Sequence, residues 1–429
     1  MSSTEIAQGA ERSLSGSEKR TLALLGLPTF GLALSITMVS TYLPKAVEQF
    51  TSSTTAIGAV VGGEGIMALW VPLVVGPWSD QLNTRLGGRL PFLLAAAPLM
   101  AVALVAIGLL GSLQLVALAA AVFFLAYFVA YEPYRALYPD LIDEKGIAGR
   151  AQGTQAMWRG AGTGVALLTG GLLLSRARVA PFVLAALVVI CTSGGFAWAA
   201  WRRGLPDRDP HHGELAIAEH VHRFRELVRE HPALRAFLLA NALWEMALAA
   251  LKAFVVLYLN EGLGFSLVTA SLIVGGTGLV ILGGAALAGK LGDKLGRLLL
   301  MQWALLIYGI GFAVPLTVTS KPLLAVTVPA IAFGGGAVMS LAYALLMPLM
   351  PDEERGTLTG LYSVSRGLGI TIGPVAAGAL ISLTSHGLFA STKGFQATWF
   401  VPCVAVLASL PLLRRVARES DDRAELREA

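Results

Sequence analysis

Charged residues are scarce in this sequence. Only 14% of its 429 residues are Asp, Glu, Lys or Arg, whereas a soluble globular protein carries about 25%. Because 55% of the residues are hydrophobic, the charged residues are too few to cover a surface that faces water. An exterior that contacts lipid removes this conflict, and the composition therefore excludes an ordinary soluble domain.

Residues that build disulfides, metal sites and catalytic centres are also scarce. The two cysteines, Cys191 and Cys403, both lie in apolar runs, which argues against a disulfide framework. The six histidines show no spacing typical of metal ligands. The common catalytic motifs do not stand out, and the run 284–290, which is similar to a P-loop, is followed by Leu291 instead of Ser or Thr. We therefore expect a protein that is not an enzyme and that has no cofactor and no metal site.

Long apolar runs are what the sequence has in abundance. A helix needs about 20 residues, at 1.5 Å each, to cross roughly 30 Å of hydrocarbon. Twelve runs meet this length, and they predict an all-α polytopic membrane protein with twelve transmembrane helices. The runs are Thr21–Leu43, Ala56–Val75, Leu90–Leu110, Leu113–Tyr138, Ala151–Leu174, Ala180–Trp201, Leu234–Leu259, Ser266–Leu287, Leu298–Val318, Pro322–Met350, Leu358–Leu383 and Phe395–Leu413.

The basic residues between the runs predict the orientation. Most of them fall on the side of the two termini, and Lys and Arg favour cytoplasmic loops. The loops on the other side carry only Lys45, Arg176, Arg178, Lys321 and Lys393. Both termini are therefore expected in the cytoplasm. This distribution explains the formal net charge of +5 without nucleic-acid binding, and the absence of an organelle signal favours the plasma membrane.

The chain is predicted to consist of two related halves. Residues 1–20 form a tail, 21–201 a first six-helix half, 202–232 a cytoplasmic linker, 233–415 a second half and 416–429 a second tail. The pattern Gly, Arg, Gly, Gly around Arg159 in the fifth run recurs at identical spacing around Arg366 in the eleventh. Duplicated halves around a central site are the architecture of many secondary transporters.

Two loops carry a specific family resemblance. The segment after the eighth run fits the signature G-x-x-x-D-[RK]-x-G-R-[RK] of the major facilitator superfamily through Gly289, Asp293, Lys294, Gly296 and Arg297. The segment after the second run keeps the glycine and the aspartate of this signature but has Gln in place of the following base. The chain resembles that superfamily over nearly its whole length. Residues 76–92 and 134–141 are also similar, more weakly, to its sugar–cation symporter branches, including sucrose–proton symporters.

The same loops supply candidates for a cytoplasmic gate. An aspartate at a helix end can form charge-assisted bonds with arginines beyond a glycine turn. Such bonds would hold the cytoplasmic side shut and break when it opens. The alternative is that these are ordinary loop charges that obey the topology rule. The candidate gate residues are Gly76, Asp80, Arg85, Arg89, Asp140, Arg150, Gly289, Asp293, Lys294 and Arg297.

Several ionisable residues fall inside the predicted spans. A charged side chain at the centre of a transmembrane helix costs about 3 kcal/mol, so each is a candidate functional residue. In the seventh run, Asn241, Glu245 and Lys252 share one helical face, with Trp244 beside them, which suits a binding cavity. The predicted substrate-binding or proton-coupling set is Glu64, Glu132, Arg135, Arg159, Asn241, Trp244, Glu245, Lys252 and Arg366.

The tyrosines of the fourth run allow two interpretations. Tyr127, Tyr131, Tyr134 and Tyr138 lie on one stripe of the helix. They could line a cavity or belong to the aromatic belt at the membrane interface. The belt is favoured for Tyr138, and both interpretations stay open for Tyr127 and Tyr131.

A proton-coupled carrier needs a carboxylate that changes protonation during its cycle. Glu132 is the first candidate, because Arg135 is one turn away and Arg159 lies on the next helix. Glu245 is the second candidate and Glu64 the third. The alternative for each is a static ion pair inside the membrane. We predict that Glu132→Gln abolishes proton-driven accumulation and keeps counterflow exchange; unchanged accumulation would remove Glu132 from the mechanism.

The sequence thus favours a secondary carrier that works by alternating access. The leading hypothesis is proton-coupled uptake of a sugar. Proton-coupled efflux of drug-like compounds is one alternative, and a membrane receptor or sensor that does not transport is another. The expected partners are a small-molecule substrate, a coupling proton and the lipid bilayer, with the protein acting as a monomer.

Overall fold

The structure is a computed structural model, and it describes residues 16–82, 84, 88–141, 148–203, 226, 228–346 and 355–428. Most of the predicted linker lies outside these residues. Long helices account for nearly all of the described chain, and no strand occurs in it. The helices are α1 Gly16–Val47, α2 Thr54–Gln81, α3 Leu90–Leu109, α4 Leu113–Leu141, α5 Ala148–Arg176, α6 Ala180–Arg203, α7 Pro232–Leu257, α8 Leu267–Leu295, α9 Arg297–Thr317, α10 Lys321–Leu346, α11 Arg355–Thr384 and α12 Phe400–Glu428.

The described helices confirm the predicted polytopic fold. Eleven of them are long and apolar enough to cross a membrane by length and composition. The twelfth is α5, whose first half carries Gln155 and Arg159 among small residues and is therefore less hydrophobic. Large apolar side chains cover the outside of the bundle, as at Trp70, which is 67% exposed. Such a surface is compatible with lipid and not with water.

Helix packing follows the same scheme in residues before and after the linker. In the first half, α1 packs against α5 and α6, α3 against α4 and α6, and α2 against α4. In the second half, α7 packs against α11 and α12, α9 against α10 and α12, and α8 against α10. Each pairing of the first half therefore recurs six helices later, which confirms two pseudo-symmetric halves.

The halves meet along three helix pairs. These are α2 with α11, α5 with α8, and α1 with α7. Glycines allow the closest approach: a Cβ atom on Gly65 of α2 would lie 2.4 Å from the carbonyl oxygen of Gly367 on α11, and one on Gly58 would lie 2.2 Å from that of Pro374. A larger residue at Gly65 would therefore push the two backbones apart.

The directions of the helices define two faces of the bundle. The helices alternate in direction, so α1 begins and α12 ends on one face, which we call the terminal face, opposite the distal face. In the described residues α1 packs against α7, whereas no comparable contact joins α4 to α10. The association of α1 with α7 is reinforced at the distal face by the ion pairs given below.

Candidate functional site

An ion pair joins α7 to α11 in the middle of the second half. The Nε atom of Arg366 lies 3.3 Å from Oε1 of Glu245, and the side chains are 32% and 18% exposed. One turn nearer the terminal face, Nδ2 of Asn241 donates a hydrogen bond to Oγ of Ser365, 2.8 Å away. The polar face predicted for the seventh helix is therefore the face that packs against α11.

A cavity of about 370 Å³ lies beside this ion pair and is lined from both halves. The first half contributes Ser40 of α1 and Glu64 of α2, and the second contributes Glu245, Lys252 and Arg366. Several of the intramembrane charges predicted as site residues are thus brought into one space. It is the feature of the structure that best fits a central binding site.

Glu64 is the most enclosed acid in this cavity. It is 6% exposed, and none of the bases that the structure describes lies within 4 Å of its carboxylate as an ion pair. Arg366 is nevertheless within electrostatic reach of both Glu64 and Glu245. One guanidinium therefore stands near two carboxylates from opposite halves.

A second cavity, of about 450 Å³, extends from the same pair toward α9 and α10. Glu245 lines both cavities, and Tyr308 and Tyr362 add hydroxyl groups to the second. Trp244 lines it too, but its Nε1 donates a hydrogen bond to Oγ of Ser409 at 2.7 Å, and the side chain is only 5% exposed. Trp244 is thus fixed by α12 and offers part of its ring to the cavity.

Arg159 of α5 contacts a tyrosine of α4. Its Nη1 donates a hydrogen bond to the Tyr131 hydroxyl at 2.8 Å, and its guanidinium carbon lies 5.4 Å from the centre of the Tyr131 ring. Tyr127 stacks on Tyr131 with ring centres 5.3 Å apart. These two tyrosines therefore lie in the interior, next to a predicted site residue, and not in an interfacial belt.

Tyr138 does not belong to an aromatic belt either. Its hydroxyl lies 2.7 Å from Oγ1 of Thr29 and donates to the carbonyl oxygen of Leu25 at 2.6 Å. The residue is buried between α4 and α1. The belt interpretation favoured for Tyr138 is wrong, because a partner on α1 satisfies the hydroxyl inside the protein.

Glu132 and Arg135 lie on α4 near Arg159 but outside both cavities. The expected pairing of Glu132 with Arg159 is absent from the described residues, in which Arg159 instead contacts Tyr131. Arg135 remains within electrostatic reach of Glu132 and Tyr131. The effect of Glu132→Gln stays a prediction.

The candidate cytoplasmic gate falls largely outside the described residues. This applies to Arg85 and to the side chains of Asp80, Asp140, Arg150 and Asp293. Lys294 and Arg297 are exposed, and Arg89 is the N-cap residue of α3 with one guanidinium nitrogen buried. Gly76 and Gly289 have open space where a Cβ would lie. The gate pairings stay a prediction.

Steric constraints explain the glycines at the turns of these two loops. A Cβ on Gly88 would lie 2.4 Å from the carbonyl oxygen of Leu82. Gly296, between α8 and α9, has a φ of 89°, a conformation that side chains other than hydrogen disfavour. Both loops therefore need glycine at the tight turn that follows the aspartate.

Charged residues close the distal face across the two halves. Nζ of Lys45, at the end of α1, donates to Glu261 and to Glu48, each at 2.6 Å. Nζ of Lys393, in the loop before α12, donates to the other oxygen of Glu261 at 2.7 Å. We call Lys45, Glu48, Glu261 and Lys393 the distal latch. Glu261 lies in a π-helical turn, Tyr258–Gly262, a geometry often found at functional sites.

A buried hydrogen-bond network lies below the distal latch. The Tyr42 hydroxyl of α1 donates to the carbonyl oxygen of Leu167 on α5 at 2.5 Å and lies 2.6 Å from Oγ of Ser271 on α8. Ser271 Oγ in turn accepts from the backbone N–H of Gly171 at 2.8 Å. The two halves are thus joined by satisfied polar groups as well as by ions.

Reversing one charge of the distal latch is expected to open the distal face. Lys45→Glu places three acids together, which should shift the closed-to-open equilibrium about fivefold, because a partly buried ion pair contributes on the order of 1 kcal/mol. The measurement is labelling of Ser40→Cys, in a Cys191→Ser background, by an impermeant maleimide added from the distal side. Labelling should accelerate in Lys45→Glu and slow again in Lys45→Glu/Glu261→Lys.

Lys321→Glu is the matched control, because Lys321 is an exposed distal lysine that contacts the ring of Phe265 and none of the acids of the distal latch. It should leave labelling unchanged. Equal rates in wild type and Lys45→Glu would show that the ion pairs do not hold this face closed.

Comparison with known proteins agrees with the fold described above. The sequence matches the family model described as Major Facilitator Superfamily over residues 25–374 and, in a second overlapping match, 246–429. Multidrug resistance protein 3 of Bacillus subtilis (strain 168) is 31% identical over 127 residues, which are 29% of this chain and 24% of that protein. The match thus spans about a quarter of the length of this curated relative.

Solved structures share the fold over nearly the whole chain. A bacterial homologue of the human lysosomal transporter Spinster, in an inward-facing and occupied conformation, has a TM-score of 0.76 and 16% identity, and the match covers 95% of this chain and 98% of that one. A D-xylose-proton symporter has a TM-score of 0.70 and 15% identity, with 91% and 96% covered. At these identities the likeness concerns the fold alone.

Proposed function

This chain belongs to the Major Facilitator Superfamily, and we propose that it couples a proton gradient to the uptake of a small, hydroxyl-rich solute of the sugar class. Membership makes it a transporter with an alternating-access fold and not an enzyme. The substrate and the coupling ion are the proposed part. They rest on the chemistry of the central cavities.

One observation carries the proposal: the two halves meet at a polar cavity that holds Glu64, Glu245 and Arg366. Sugars are bound by donors and acceptors together with aromatic surface. The cavity wall and its extension supply carboxylates, a guanidinium, the Ser40 hydroxyl and the Tyr308 and Tyr362 rings. A site between two halves also changes exposure when they rock against each other.

We assign the coupling proton to Glu64. A carboxylate that is 6% exposed at this depth is costly unless it is neutralised. A bound proton neutralises it in one state, and Arg366, which reaches both Glu64 and Glu245, can do so in the other. Proton release toward the cytoplasm would then draw Arg366 away from Glu245 and alter the site as the solute leaves.

Orientation and location follow the basic residues. The terminal face carries most of the Lys and Arg of the loops, which places it in the cytoplasm. The distal latch would then close the outer side, so that the described contacts between α1 and α7 correspond to a state open to the cytoplasm. We propose that the protein is a multi-pass protein of the plasma membrane.

Purified protein in liposomes with a trapped pH dye tests the proposal. Neutral sugars, sugar acids and cationic drugs are added outside with no initial pH gradient, and potassium with valinomycin clamps the membrane potential. Acidification of the interior that depends on a sugar-class solute is the expected result. Silence with every such solute, in liposomes whose protein content is verified, would contradict proton-coupled uptake.

Drug efflux is the second candidate. It is favoured by the segment that is 31% identical to Multidrug resistance protein 3. In the same liposomes, alkalinisation on addition of a cationic drug would indicate exchange for protons and would place this function first. A receptor that does not transport would give no flux with any compound.

A further inference from the structure

Arg159 is exposed although its surroundings are interior. Neighbouring positions of α5 face other elements: Trp158 packs edge-on against Phe30 of α1, Gly160 faces Leu282 of α8, and Met157 is 67% exposed on the outside. Arg159 itself contacts the buried Tyr131. The neighbours of Arg159 on α5 therefore place the exposed part of its side chain toward the space between the halves and not toward lipid.

Arg159 is also an intramembrane cation that has no acid partner at ion-pair distance within the described residues. Arg366 pairs with Glu245, Lys252 shares a cavity with Glu64, and Arg135 lies near Glu132. Within the described residues, no carboxylate lies within 4 Å of Arg159 as an ion pair. A guanidinium has five N–H donors, and the Tyr131 hydroxyl accepts from only one nitrogen of Arg159.

The two arginines of the internal repeat lie in opposite halves of the molecule. Arg159 and Arg366 occupy equivalent positions of the repeat and are within electrostatic reach of one another. Like charges on two facing walls oppose the approach of those walls. An anion between them would reverse the sign of that interaction and favour closure around the solute.

We propose that Arg159 binds an anionic group of the transported solute, and that the solute is a hydroxyl-rich carboxylate, such as a sugar acid, held between Arg159 and Arg366. This inference rests on the proposed function, in which a sugar-class solute occupies the central cavity. Planar guanidinium groups suit carboxylates because they form two parallel hydrogen bonds.

The net charge that each transport cycle moves depends on the charge of the solute. A carboxylate that enters with one proton carries no net charge across the membrane. Uptake of a sugar acid should therefore respond to the pH gradient and remain unchanged when valinomycin and potassium impose a membrane potential. Uptake of a neutral sugar with a proton would respond to both.

The test is uptake of radiolabelled D-glucuronate, D-gluconate and D-glucose into proteoliposomes with an inward proton gradient. Wild-type protein should accumulate at least one sugar acid, and D-glucose should neither accumulate nor compete. Arg159→Gln should raise the apparent KM for that acid about a hundredfold or more, because it removes the guanidinium that binds the desolvated carboxylate. Arg159→Lys, which keeps the charge and loses the planar fork, should have an intermediate KM.

Arg176→Gln is the matched control, since Arg176 ends the same helix and is exposed; its KM should equal that of the wild type. Accumulation of D-glucose without either acid would overturn this inference and leave the proposed uptake of a sugar standing. Transport of an acid by a folded Arg159→Gln protein with an unchanged KM would also overturn it. Failure of all three solutes to move would count against both proposals.

Discussion

Replacing Glu64 with Gln should abolish accumulation of the solute against its gradient while counterflow exchange continues. Glutamine keeps the size of the side chain and its hydrogen-bonding capacity but cannot release a proton. Solute exchange needs only the rocking of the loaded protein, whereas accumulation needs a proton that binds on one side and leaves on the other. Internal solute should therefore rise to the external concentration and stop there, by measurement of radiolabelled uptake in proteoliposomes.

Glu230→Gln is the matched control for this prediction, because Glu230 is an exposed acid just before α7 and outside the cavities. It should accumulate solute as the wild type does. If Glu64→Gln also concentrates the solute under an inward proton gradient, the coupling proton is not carried by Glu64. Glu132 and Glu245 would then be tested by the same substitution.

The second large effect is expected from Arg366→Gln. This substitution leaves Glu245, which is 18% exposed, without its cation beside the cavity. Breaking a buried pair costs about 3–5 kcal/mol, and partial exposure of both side chains reduces this to roughly 2–3 kcal/mol through solvent screening. The melting temperature in detergent should fall clearly, and transport should be lost because the proposed site places Arg366 between the solute and Glu64.

The double variant Arg366→Gln/Glu245→Gln separates these two effects. Removing the orphaned carboxylate should restore much of the melting temperature, since two neutral amides can hydrogen-bond to each other. Transport should stay absent. A single variant that is as stable as the wild type would mean that the Glu245–Arg366 contact is not a stabilising pair, and a double variant that transports would remove Arg366 from the mechanism.

Most of the fold could be predicted from hydrophobic length alone. The twelve predicted runs correspond to the twelve described helices, because the requirement to span hydrocarbon is the same for each. The fifth helix shows where composition is weaker as a signal: Gln155 and Arg159 lower its hydropathy below that of the other spans. Its position in the repeat, with Arg159 matching Arg366, identifies it nevertheless.

Part of the site could also be predicted from the sequence. The spacing of Asn241, Glu245 and Lys252 predicts one face of α7, and the structure packs that face against α11 and the central cavity. The side-chain contacts between helices could not be predicted, because the rotation of each helix about its own axis is set by packing. Arg159 thus contacts Tyr131 instead of Glu132, although both lie on the helix predicted to be its neighbour.

The distal latch is the clearest residue set that sequence reasoning missed. Lys45 and Glu261 are separated by 216 positions, and each reads as an ordinary loop charge when taken alone. The sequence does contain one indication of these ion pairs. Lys45 and Lys393 are among the few basic residues of the distal loops, where Lys and Arg are rare. Basic residues in the distal loops, where the topology rule disfavours them, should therefore be tested for acidic partners in the other half.

The central cavity and the distal latch together suggest how one cycle proceeds. In the proposed cycle, the distal latch would hold the outer side closed while solute and proton leave toward the cytoplasm. Closure of the terminal face would bring Arg159 and Arg366 together, which is unfavourable when the site is empty and favourable with an anion bound. Solute binding and opening of the opposite face are thereby linked through the same two halves.

The most direct test of proton-coupled transport is accumulation in proteoliposomes under an inward proton gradient, measured with and without a protonophore. The radiolabelled solute is the one that changes the internal pH in the dye assay. Our account predicts uptake above the external concentration, lost when the protonophore is added and lost in Glu64→Gln. Uptake that stops at the external concentration in the wild type, or accumulation that the protonophore leaves unchanged, would contradict it.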